Sequence, residues 1–150
     1  MNLVLKELIG AKFTETNRIC DLIGLTFETK EGKKIIFHVQ CLIRILKEGK
    51  VLVSSEEMYF STEKEKNSVF DWTKDFSIYD SCMKKERERL TKLKIVKIEN
   101  MKQGDIFFYF EKGYCLQIIV NRTHNEEKYR VMKDNEHYVF RCHRWGLENV

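Results

Sequence analysis

Two stretches near opposite ends of this 150-residue chain read as copies of one β-rich unit. The first runs through residues 8–13, 21–28 and 32–39, and the second through 93–98, 105–111 and 113–120. Matching residues lie 85 apart for Lys12 and Lys97, 83 for Glu28 and Glu111, 81 for Gly32 and Gly113, and 79 for Tyr59 and Tyr138. The apolar positions agree, Ile35 with Leu116, Phe37 with Ile118 and Val39 with Val120, while the polar ones do not: His38 meets Ile119. A repeat that keeps its core and changes its surface constrains the architecture but carries no chemistry. Its period is too long for a solenoid, whose units of roughly 20–50 residues recur at least three times.

The expectation is therefore one α+β, mainly β domain over 1–150. Its repeat halves fall at about 1–62 and about 93–145, each four-stranded, packed as a sandwich or partly open barrel. The chain is 43% hydrophobic with ten Phe and six Tyr, enough for a core and unlike a disordered segment. A net charge of +4, from 27 basic and 23 acidic residues, favours solubility and does not mark a nucleic-acid domain. The five cysteines are odd in number, widely spaced and form no C-x-x-C pair. The first residues lack a basic segment followed by an apolar run, and no stretch reaches the roughly 20 apolar residues of a membrane helix. These features predict free thiols in the cytoplasm and no membrane partner.

Alternation from Ile35 to Ile43 places Ile35, Phe37, Val39, Cys41 and Ile43 on one strand face and His38 and Gln40 on the other. The apolar run 105–111 fits a strand buried on both sides, followed by a tight turn in which Gly113 takes positive φ. Further strands are predicted near Lys50–Ser54, 58–60, 128–133 and 137–142, and a short helical turn at Leu42–Lys47, ending at Gly49. The main helix links the halves over about 78–93, with Asp80 or Ser81 as its cap and Ile78, Tyr79, Met83, Glu86 and Leu90 on its buried stripe. Residues 61–67 alternate Glu and Lys without apolar anchors and read as an exposed loop.

The clusters that could carry chemistry each have a plainer explanation. His38-x-x-Cys41 and Cys142-His143 are too few and diverge along a strand, so no metal site is expected. The seven glycines are scattered singly and build no phosphate cradle, no local Cys–His pair forms a nucleophile, and no cofactor is implied. The helix run 84–89 is basic but interrupted by Glu86 and Glu88, as on a solvated face. Phe107 and Tyr109 could stack bases, although a β domain of this size needs most such rings in its core. The binding candidates are polar residues of the third strand and the tail: His38, Gln40 and Arg44, which align with Gln117 and Asn121 in the other copy, and Arg141, Arg144 and Trp145. The cleft where the copies meet is a place for a ligand.

Phe37-His38-Val39-Gln40-Cys41 with Arg44-Ile45, then Phe70-Asp71-Trp72, then Phe110-Glu111-Lys112-Gly113, resembles the layout of a group of small, uncharacterised bacterial β-rich proteins, some of them immunity-like. The chain departs from that layout at Ile43, where the group has Trp. The resemblance implies a non-enzymatic module that binds and blocks a partner protein, and it designates no site residue. The alternative is a nucleic-acid-associated β protein using the basic helix and the tail at Arg141 and Trp145.

Overall fold

The computed structural model describes residues 1–63, 69–71 and 76–148. Its strands fall into two runs with the same order of connections. The first is a meander of β1 (Lys12–Ile19), β2 (Leu22–Glu28) and β3 (Lys34–Val39), followed by a hairpin of β4 (Leu42–Lys47) and β5 (Lys50–Ser54). The second is a meander of β6 (Ile95–Asn100), β7 (Ile106–Phe110) and β8 (Tyr114–Ile119), followed by β9 (Glu127–Lys133), β10 (Glu136–Arg141) and a further strand, β11 (Arg144–Glu148). Each meander pairs with the hairpin of the other run. One sheet has the order β1-β2-β3-β9-β10-β11, the other β5-β4-β8-β7-β6, and every pairing is antiparallel. The two runs thus interlock through β3 with β9 and β4 with β8, and the sequence repeat is a repeat of topology.

The inner faces of the sheets meet through aromatic rings. Phe108 of β7 lies 5.1 Å from Phe27 and 5.6 Å, edge-on, from Phe37, and all three are fully buried. Each contributes about 1.5–3 kcal/mol by leaving water, and edge-on geometry adds to that. The sheets do not close into a barrel. They touch at the starts of β1 and β6, where Gly10 N donates to Ile95 O (2.7 Å) and Ile95 N to Ala11 O (2.9 Å). A short helix, α1 (Leu3–Lys6), buries Val4 and Leu5 in the core. The main helix, α2 (Ile78–Leu90), packs against β1 and β5 with Tyr79, Met83, Glu86 and Leu90 inward, as the stripe predicts, while Ile78 at its start is only half-buried.

Several expectations are corrected. Leu42–Lys47 is strand β4 rather than a helical turn: Ile43 and Ile45 are buried while Leu42, Arg44 and Leu46 are not, which is a period of two. The turn after it puts both Glu48 and Gly49 at positive φ (50° and 80°), as a tight hairpin requires. Residues 58–60 form no strand but follow a 3-10 turn, Ser55–Glu57. The Tyr59–Tyr138 match therefore fails, since Tyr138 lies inside β10, and each half has five strands or more rather than four. The cap of α2 is Ser77, whose Oγ accepts from Asp80 N (3.3 Å), instead of Asp80 or Ser81. Strand β7 is buried on one face: Ile106, Phe108 and Phe110 are inside, whereas Phe107 and Tyr109 are half-buried outside. Of the Phe70-Asp71-Trp72 triplet and the loop 61–67, Trp72 and residues 64–67 lie outside the described residues.

Candidate functional site

The two halves meet where the chain passes from one sheet to the other. Between β3 and β4 it turns the corner in two residues, Gln40 and Cys41, and the buried odd-numbered positions continue through it from Ile35 to Ile45. Gln40 N donates to Lys128 O (2.9 Å), tying this corner to the second crossover, between β8 and β9. Two adjoining concavities open there, divided by Asn121 and Arg122. The first, about 240 Å³, is walled by the β1–β2 turn (Asp21), the first corner (Gln40) and the segment after β5 (Glu56, Tyr59). The second, about 340 Å³, is walled by the β6–β7 turn (Gln103), the second crossover (Thr123), Lys128 and the turn after β10 (His143). These walls are topological equivalents, so the repeat produces a pair of related cavities.

Their chemistry differs. Asp21 accepts from Tyr59 Oη in the first (3.2 Å), while the matching Asp105 accepts from Val120 N (2.8 Å) and braces the second crossover. Arg122 lines both, but the first cavity sets it beside the carboxylates Asp21 and Glu56, and the second beside Lys128 and His143.

Lys128 is held in an unusual way. Phe140 faces Tyr129 and Arg141 faces Glu127, so Lys128 is the extra residue of a β-bulge, a feature that re-aims a side chain. It is 2% exposed, and among the described residues its Nζ makes no hydrogen bond and its nearest ion-pair partner is Glu126 Oε1 at 3.5 Å. A buried ammonium without hydrogen bonds costs several kcal/mol, on the order of 2–5 in mutational terms. Nearby, Cys142 and His143 both sit at positive φ (39° and 67°), where residues other than glycine are strained by about 1 kcal/mol each. Cys142 Sγ fastens that turn to Thr123 O (3.4 Å). Burial pushes the Cys41 thiol up to about 12, so it is no nucleophile at neutral pH.

A second surface lies on the outer face of the six-stranded sheet. There Arg130 of β9 donates through Nε and Nη2 to Glu127 (3.1 and 2.9 Å), and Nη2 also reaches Glu148 of β11 (2.7 Å). Arg130 Nη1 stands 3.3 Å from His137 Nδ1, and Arg141 Nη2 donates to Glu148 Oε1 (2.6 Å). Val139 shares this outer face, yet it is 3% exposed and separate from the core cluster. Its register neighbours Arg130 and Gly146, with His137 and Arg141 alongside, place it beneath the arginine stems. Burial and then Arg130 hold the His38 imidazole below its ordinary pKa.

The sequence-predicted residues separate into four places. His38, Arg141 and Arg144 share the outer face of the six-stranded sheet: His38 pairs with Arg130 in register and Arg141 with Arg144. Arg44 is on the other sheet, where Nε and Nη2 donate to Gln117 Oε1 of the neighbouring strand (3.1 and 2.7 Å). Gln40 lines the first cavity. Trp145 turns inward, edge-on to the stacked pair Tyr129 and Phe140 at 5.2 and 5.6 Å. On α2, Arg87 donates to Thr14 O (3.1 Å) and Arg89 to Glu86 (2.9 Å). Sequence reasoning missed Lys128, Arg122, Arg130, Glu127 and Glu148; the Glu127-x-x-Arg130 spacing was a usable signal, whereas nothing local announces the bulge.

No protein-family model matches the chain, and no curated protein or solved structure matches it significantly.

Proposed function

We propose that this chain is a non-enzymatic binding module that docks a partner protein on the outer face of its six-stranded sheet and blocks it, in the manner of immunity-type proteins. The observation that carries this reading is the ion-pair network laid across β9, β10 and β11. Arginine is enriched at protein interfaces, and carboxylates that fix its rotamers lower the entropy lost on docking. The alternation of Arg130, Arg141 and Arg144 with Glu127 and Glu148 forms a pattern of both signs, which selects a complementary partner. His38 and His137 flank it.

The same pairing argues against nucleic acid as the partner, because Arg130 and Arg141 on the sheet and Arg89 on the helix are already matched by carboxylates. Affinity capture from the source lysate with folded protein as bait, followed by calorimetry of the purified pair, tests the reading. A saturable one-to-one complex is expected, together with elution from heparin at low salt. Folded bait that captures no saturable partner, or that elutes from heparin only at high salt, contradicts it.

A further inference from the structure

Among the described residues three buried side-chain atoms lack a hydrogen bond: Tyr79 Oη, Glu86 Oε2 and Lys128 Nζ. Of these, only Lys128 is a cation, and it lines a cavity that the sheet-face reading does not use. We infer that the cavity of about 340 Å³ at the β8–β9 crossover is a binding site for a small oxyanion, a phosphate or carboxylate group, with Lys128 at its base and Arg122 and His143 at its rim.

The ammonium has three donors to give and, among the described residues, one carboxylate within 4 Å, the half-exposed Glu126 at 3.5 Å. An oxyanion bound in the cavity exchanges that long contact for short charge-assisted hydrogen bonds. Asn121, Gln103 and Thr123 supply neutral donors around the same space. The volume fits the lower end of small-molecule sites, roughly 300–1,000 Å³.

Two features show that the cation is placed rather than incidental. A bulge turns Lys128 out of the strand's alternation, and the strained pair Cys142 and His143 holds the rim against Thr123. The topologically equivalent cavity shares Arg122 but opposes it with Asp21 and Glu56 and, among the described residues, has no counterpart of Lys128 or His143. The anion preference is therefore a property of this half alone and not of the fold.

Titration of the 15N-labelled chain with inorganic phosphate, and separately with acetate, at constant ionic strength tests the site. Saturable amide shifts are expected at Asn121, Arg122, Thr123 and Lys128, weakened about tenfold or more in Lys128→Met, which keeps the side-chain length and removes the charge. Arg122→Gln, at an exposed position, provides an independent variant expected to weaken binding about threefold. The tighter of the two anions identifies the ligand class. Shifts that stay linear for both anions to about 50 mM, or affinities equal in the wild type and the variants, overturn the inference.

Discussion

Arg130 and Glu148 meet at 2.7 Å although their strands, β9 and β11, are not neighbours in the sheet. The contact passes over β10 and ties the last strand to the interior of the sheet. Glu148 is held below the usual carboxylate range, first by the hydrogen bond from Arg141 and further by the Arg130 charge. A carboxyl group whose pKa is lower in the folded chain contributes stability above its unfolded value and loses that contribution as pH falls through the folded value. Hydrogen exchange of the β11 amides is therefore expected to accelerate on acidification across that window, and in Glu148→Gln the acceleration is expected to vanish. A Glu148 carboxyl that titrates at or above its ordinary value would contradict the network.

Gly104 joins the cavity to the aromatic end of the core. It takes φ of +107°, Tyr129 Oη donates to its carbonyl at 2.7 Å, and the Phe140 ring occupies the space of a Cβ. Gly32 takes φ of +79° with nothing near a Cβ. Alanine at position 32 is expected to cost about 1 kcal/mol from backbone strain alone. At position 104 overpacking adds to strain, for a total of about 3 kcal/mol or more. Urea unfolding of both variants checks this, and equal losses would show that Phe140 yields freely.

Removing the Lys128 charge has a separate consequence for stability. A buried ammonium that lacks hydrogen bonds opposes folding, and a methionine of similar length removes that cost. Lys128→Met is expected to raise unfolding stability by about 1–3 kcal/mol in phosphate-free buffer. A loss of stability of that size would mean that the pairing with Glu126 outweighs the burial.

Apolar alternation made the repeat legible, because Ile35, Phe37 and Val39 and their counterparts Leu116, Ile118 and Val120 answer to the packing demands of equivalent strands. The helix stripe of α2 was readable on the same ground. Leu42–Lys47 was misread because the chain changes sheets at Gln40 and Cys41 without glycine, proline or any change in alternation. Asp105 and Asp21 aligned in sequence, but only the fold shows that from equivalent turns they bond to different elements, Asp21 to Tyr59 after β5 and Asp105 to Val120 at the second crossover. Lys128 was invisible because a bulge is set by the partner strand's register, here by Phe140 and Arg141. The link from Arg130 to Glu148 was out of reach for a similar reason, since it depends on β9 and β11 flanking the same strand.

Arg144, exposed on β11 opposite Arg141 and beside the ion-pair network, is where the reading of the outer sheet face as the docking surface is most directly tested. The decisive measurement is the affinity of the captured partner for the wild type, for Arg144→Glu and for Lys50→Glu, the last a charge reversal on the exposed edge of the other sheet. Arg144→Glu is expected to weaken binding about a hundredfold, with Lys50→Glu unchanged. Undiminished binding by Arg144→Glu, or an equal loss in both variants, would contradict the account.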